Sequence, residues 1–140
     1  MSTQDWTTIL SDMLSVRQMN PKIHPAPHDC FDITFTHVSG GRYFTGRGQV
    51  CQDFASAELW LRHRPTNRDA LTEKLAAINT NPIMMEAGNR WMRFAISADH
   101  LAFVAQLSEL GKPLSIETMG HRLEHLIALV ENELPSLTSV

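Results

Sequence analysis

The sequence lacks any apolar run long enough to cross a membrane. No stretch of its 140 residues approaches the roughly 18 to 20 consecutive apolar residues that a membrane-spanning helix requires. The first ten residues, MSTQDWTTIL, have neither the basic region nor the apolar region of a secretory signal. We therefore expect residues 1–140 to form one soluble, cytoplasmic domain without membrane contact.

An excess of positive charge is also missing. Lys and Arg number 12 against 15 Asp and Glu, and the net charge is −3 at pH 7. This balance gives no general attraction to nucleic acid or to anionic lipid. The basic segment at residues 62–68 lies beside Trp60, a mixture that single-stranded nucleic acid can use, but Glu58 and Asp69 flank it. We expect no nucleic-acid partner.

Several catalytic motifs are absent as well. The chain has no GxGxxG, no phosphate-binding loop with its lysine and no GxSxG, so no nucleotide cradle or serine nucleophile is visible. Its two cysteines do not form a CxxC pair, and neither has a nearby His or Asn that would mark a nucleophile. We expect no cofactor and no catalytic residues.

What the sequence does contain is a clear alternation of helical and strand patterns. Together they predict an α+β fold in the order α-β-β-β-α-β-β-α, a five-stranded antiparallel sheet with helices packed on one face. The proline-rich residues 20–28 are expected to be an extended loop. The predicted elements are a helix over Thr3–Gln18, a hairpin over Phe31–Val50, a strand over Ala57–His63, a helix after Thr66, a hairpin over Asn89–Ser108 and a helix from Ser115 to Pro135.

Both hairpins have a predicted register. Gly40 and Gly41 suit a two-residue turn, which pairs residues whose numbers add to 81. A turn at Ala98 and Asp99 would pair residues whose numbers add to 197. The first rule sets Cys30 opposite Cys51, so a cross-strand disulfide is conceivable. Because a cytoplasmic compartment is reducing, we favour two free thiols.

The outward face of the predicted sheet is less polar than a solvated face should be. It carries Trp60, Trp91 and Val104 among arginines, and this mixture is typical of interfaces. The alternative is that the proline-rich loop covers this face. We predict that Trp60, Trp91 and Val104 bind a partner protein or form a homodimer interface.

One short motif suggests a metal. His121-Arg-Leu-Glu-His125 matches HxxEH, in which two histidines one helical turn apart bind zinc and the glutamate acts as general base. Both imidazoles project away from the apolar stripe of the helix, and no third ligand is evident. A metal-dependent hydrolase using His121, Glu124 and His125 is therefore a minor alternative, and we predict no metal site.

The order of elements resembles that of the type III secretion effector chaperones, the Tir chaperone-like family. The resemblance covers nearly the whole chain and is closest in its second half, in LAAIN at residues 75–79, the hairpin at 91–107, LSIE at 114–117, HLIA at 125–128 and ELP at 133–135. YbjN-like regulators share the layout. The resemblance implies a small acidic homodimer that holds an extended segment of a secreted partner without ATP. We therefore expect a non-enzymatic protein-binding domain, or alternatively a YbjN-like stress or sensory regulator.

Overall fold

A computed structural model describes the whole chain, Met1–Val140, and confirms the α+β class. The main sheet has six antiparallel strands in the order β1-β2-β3-β4-β8-β7, and β5 and β6 form a separate two-stranded hairpin. The helices are α1 (Thr3–Val16), α2 (Arg68–Asn79) and α3 (Ile116–Thr138), with a 3₁₀ turn at Pro82–Met84. The strands are β1 (Lys22–Ala26), β2 (Cys30–Ser39), β3 (Arg42–Cys51), β4 (Phe54–Arg62), β5 (Met85–Glu86), β6 (Asn89–Arg90), β7 (Met92–Ser97) and β8 (His100–Gln106).

The predicted count of five strands is wrong because the proline-rich segment contributes β1. This strand pairs with β2 from Lys22, opposite Thr34, to Ala26, opposite Cys30. Proline cannot donate to a strand ladder, so it is confined to edge strands, where one side of the backbone needs no partner. Pro25 occupies such a position at the edge of the sheet. The small β5–β6 hairpin was also missing from the predicted order.

Both predicted registers are confirmed. The β2–β3 ladder runs from Phe31 opposite Val50 to Ser39 opposite Arg42, and the glycines of its turn have φ of 58° and 74°. The β7–β8 ladder runs from Met92 opposite Ala105 to Ser97 opposite His100. Ala98 takes φ of 52° in that turn. The alternation of the strands therefore selects the register even where the turn residue is a poor one.

Each helix begins at a side-chain cap. The Ser2 hydroxyl accepts from the backbone N–H of Asp5, and the Asp5 carboxylate accepts from the N–H of Ser2, which closes a capping box. The hydrogen bond with the backbone of Ser2 lowers the pKa of Asp5, and the hydrogen bond with the Ser2 hydroxyl contributes a smaller shift in the same direction. Helix α3 continues past Pro135 to Thr138, beyond the predicted end, because Leu137 is buried in the core.

The three helices cover one face of the main sheet, called here the inner face. Helix α1 contacts β2 and β3, α2 contacts β7, and α3 contacts β8. The inner face supplies large buried side chains to a single core, including Ile33, Phe35, Phe44, Leu59, Phe94 and Phe103. The edge at β7 is closed by Asn79, whose side-chain amide donates to the carbonyl of Phe94 and accepts from its N–H.

Cys30 and Cys51 form a disulfide, so the expectation of free thiols is wrong. Their Cα atoms lie 4.3 Å apart, the spacing of directly opposite residues that do not exchange backbone hydrogen bonds. The expectation rested on the redox state of a compartment, whereas the bond follows from the hairpin register. The disulfide lies on the sheet face opposite the helices, as Asp32 and Gln49 do.

No helix in the structure combines the length and the apolar character needed to cross a membrane.

Candidate functional site

The sheet face opposite the helices, called here the outer face, is covered by no other part of the chain. The proline-rich segment does not lie across it, because β1 extends the sheet sideways instead. Tyr43 and Val38, paired at one end of the face, are 76% and 53% exposed. Two large apolar side chains are thus open to solvent beside the remainder of the face.

Trp60 lies at the centre of the outer face. Its neighbours across the sheet are Thr45 on β3 and Ala102 on β8, and Ala102 is followed by Ala95 on β7. The indole N–H donates to the Glu58 carboxylate at 2.9 Å, which fixes the ring on the sheet. Its neighbours across the sheet are small, and the ring is half-buried. The predicted placement of Trp60 is confirmed.

Val104 continues this apolar strip along β8. It lies between Glu58 on β4 and Arg93 on β7, and its side chain is half-buried. Together with Phe54 and Arg93 it lines a shallow cavity of about 300 Å³. The predicted placement of Val104 on the outer face is confirmed, and the cavity beside it could receive an apolar side chain.

The charges on the outer face are mainly arginines. Arg47 faces Asp32 at 3.5 Å, and Arg62 faces Asp99 at the same distance. Both guanidinium groups remain more than half exposed, so these pairs are weak and can exchange partners. Arg93 is exposed and makes neither an ion pair nor a hydrogen bond. The apolar strip is thus surrounded by arginines that are paired only at long distance or, for Arg93, not paired at all.

Trp91 is buried rather than exposed on the outer face, although it lines one wall of the shallow cavity beside Val104. Only 6% of the residue is exposed, and its indole N–H donates to the carbonyl of Ile83 at 2.8 Å. Its ring lies beneath α3, with the guanidinium carbon of Arg122 5.0 Å and the His125 ring 6.2 Å from its centroid. The backbone N–H of Gln106 donates to the carbonyl of Trp91 at 2.7 Å, so the β7–β8 register extends back to Trp91, and its side chain is buried because α3 and Ile83 cover it.

Arg122 is the buried charge that the sequence analysis missed. Its Nη1 donates to the carbonyls of Gln106 at 3.1 Å and Ser108 at 2.8 Å, and its Nη2 donates to the Glu86 carboxylate. The side chain thereby ties α3 to the end of β8 and to β5. In the sequence it stands between the histidines of HxxEH, and the signal for its burial is its helical spacing of three residues from Met119 and four from Leu126, both of which are buried.

His121 and His125 line a second cavity, of about 460 Å³, between α3 and β5. Their ring centroids lie 4.2 Å apart. His121 is exposed, whereas His125 is half-buried beside Trp91, so the expectation that both face solvent holds only for His121. Glu124 does not line this cavity. No three His, Cys, Asp or Glu side chains come together as a metal site, so the arrangement proposed for a hydrolase is not assembled.

No protein-family model matches this chain, and neither the curated proteins nor the solved structures include a match.

Proposed function

We propose that this chain is a non-enzymatic protein-binding domain that holds an extended, acidic segment of a partner protein on the outer face of its sheet. The observation that carries the proposal is the uncovered strip of Trp60 and Val104 among incompletely paired arginines. Aromatic side chains and arginine are the residues that supply most of the binding energy in protein interfaces.

The partner is expected to dock across the face rather than add a strand to the sheet. Strand addition needs a free edge with unpaired backbone groups. The β7 edge is closed at Phe94 by Asn79, and the β1 edge is short and contains Lys22 and Pro25, residues that discourage pairing. The shallow cavity beside Val104 then offers a place for one apolar anchor.

Charge complementarity favours a different chain over a second copy. Two copies packed face to face would enclose two copies of Arg93, which has no acidic partner on its own chain, and unpaired like charges in an interface are unfavourable. Carboxylates of a partner would pair with these groups instead. A homodimer of the kind predicted from the sequence would have to use another surface.

The predicted resemblance to type III secretion effector chaperones is compatible with this mode of binding, and so is a YbjN-like regulatory role. Both would act through contact with another protein and without chemistry. They differ in the partner, which would be a secreted effector for a chaperone and a signalling or stress component for a regulator.

Photo-crosslinking in the native host tests the proposal. Tyr43→benzoylphenylalanine places a reactive group on the outer face, and Val16→benzoylphenylalanine places one on α1; the two wild-type side chains are 76% and 85% exposed. We expect adducts with another protein at position 43 and none at position 16. Mass spectrometry of the adduct identifies the partner and the acidity of the crosslinked segment.

Charge reversal completes the test. Arg47→Glu with Arg93→Glu should reduce the adduct at position 43, while Arg17→Glu at the end of α1 should not. Equal adducts at positions 43 and 16, or yields that do not respond to charge reversal, would contradict the proposal. An adduct of twice the chain mass would show that a second copy occupies the face.

A further inference from the structure

The cavity between α3 and β5 is distinct from the outer face and has polar groups on two walls. His121, His125, Glu117 and Thr118 line it from α3, and Glu86 lines it from β5. Its volume of about 460 Å³ can hold an ion with several bound waters. The cavity is unused by the proposed partner-binding function.

Two imidazoles form the centre of this wall. His121 and His125 are one helical turn apart and therefore project from the same side of α3. Their ring centroids are 4.2 Å apart, close enough for one nitrogen of each ring to reach a common ion. The Trp91 ring, 6.2 Å from that of His125, restricts the movement of the half-buried imidazole.

The charged side chains around the two imidazoles are compatible with a bound cation. Arg122 is the nearest positive side chain, and its guanidinium is already bound to Glu86 and to two backbone carbonyls. Glu117 adds an exposed carboxylate on the same wall. A divalent ion at the two imidazoles would therefore face no uncompensated cation.

We infer that His121 and His125 chelate one divalent transition-metal ion, copper(II), zinc(II) or nickel(II), in this cavity. Imidazole nitrogen suits these ions, whereas magnesium and calcium prefer oxygen ligands. No third His, Cys, Asp or Glu side chain joins the pair, so the remaining coordination positions are left to water. Because Glu124 lies outside the cavity, the arrangement supports metal binding without the base that hydrolysis would need.

Calorimetric titration of untagged protein with copper(II) and with zinc(II) tests the inference. We expect one ion per chain and, for copper(II), an electron paramagnetic resonance spectrum with coupling to two nitrogens. His121→Ala and His125→Ala should each weaken binding by more than about tenfold, since loss of a group that merely supports a ligand already costs roughly 10- to 100-fold.

The control is the double variant His24→Ala with His28→Ala. These histidines have the same spacing in the sequence but lie in β1 and the turn after it rather than on a helix, so binding should not change. His121 is exposed, and its removal should leave the circular dichroism spectrum intact. Copper(II) binding that survives both single variants, or that disappears with the control, would overturn the inference. Binding of magnesium with an affinity equal to that for copper(II) or zinc(II) would overturn it too.

Discussion

At the scale of the residue, Arg122 shows how much one buried side chain can connect. It is 6% exposed, lies against Trp91 and satisfies two carbonyls at the end of β8. Arg122→Met keeps the apolar stem but leaves both carbonyls without a donor. We expect a loss of about 3 kcal/mol in the free energy of unfolding, measured with urea.

Glu86→Gln removes the negative charge that faces Arg122 and leaves the two hydrogen bonds from Arg122 to backbone carbonyls in place. The Glu86 side chain is 53% exposed, so water can replace much of its interaction with the guanidinium. We expect this variant to cost less than about 1 kcal/mol in the same measurement. A cost equal to that of Arg122→Met would show that the ion pair, rather than the two carbonyls, stabilises this corner.

His37 makes stability depend on pH. Burial lowers the pKa of His37 below its ordinary value of 6.5, and Glu131, 3.5 Å from Nε2, opposes the shift only in part. Below pH 6.5 the unfolded chain binds this proton more readily than the folded chain does, so the free energy of unfolding falls as the pH falls through that window.

The corresponding variant is His37→Gln, which has no proton to bind in this range. We expect it to lose less stability than the wild type between about pH 7.5 and pH 5.5 in urea titrations. Burial also lowers the pKa of His63, so some pH dependence should remain. Glu131→Gln removes the opposing charge and should make the acid loss steeper, and a shallower loss would argue against this role for His37.

At the scale of the element, Gly46 shows why β3 can pack against the helices. A Cβ atom at Gly46 would overlap the ring of Phe35, which is buried directly opposite. A Cβ at Gly48 would meet Ile33, Leu10 and the carbonyl of Ser56 at ordinary contact distances of 3.5 to 3.6 Å. The Phe35 ring therefore excludes a Cβ atom at position 46, whereas position 48 has room for one.

Gly46→Ala and Gly48→Ala form a matched pair. We expect the first to cost about 2 kcal/mol, because the Phe35 ring must leave its place in the core. The second should change stability by less than about 1 kcal/mol. Urea unfolding of both variants measures the difference, and equal costs would mean that Phe35 can move aside freely.

The disulfide stabilises the β2–β3 hairpin by restricting the unfolded chain. It closes a loop with a sequence separation of 21, for which loop-closure entropy gives about 3 kcal/mol. We expect a reducing agent to lower the free energy of unfolding of the wild type by this amount. The double variant Cys30→Ser with Cys51→Ser should have the lower free energy of unfolding both with and without the reducing agent. If reduction leaves the stability of the wild type unchanged, the disulfide does not stabilise the hairpin.

At this scale, the sequence predicts correctly those features that depend on residues close together in the chain. The registers of both hairpins follow from alternation and turn position, which are readable within about twenty residues of sequence. The strand β1 was missed because three prolines in residues 20–28 favour a loop, and only the presence of β2 as a neighbour makes an edge strand of them.

At the scale of the whole molecule, the fold separates apolar surface into two parts. One core joins the inner face to all three helices, while the outer face keeps Trp60 and Val104 in contact with solvent. Six strands with every helix on the same side leave the other side without a cover. This asymmetry is what the proposed partner-binding function uses.

The sequence by itself determined the α+β class, the two hairpin registers and the outward placement of Trp60 and Val104. These depend on periodicity and turn chemistry, which act between residues close together in the chain. Only the tertiary structure decided the burial of Trp91 and Arg122 and the cavity lined by His121 and His125. Each of these depends on which distant elements pack together, and that choice is made by the core as a whole rather than by any local pattern.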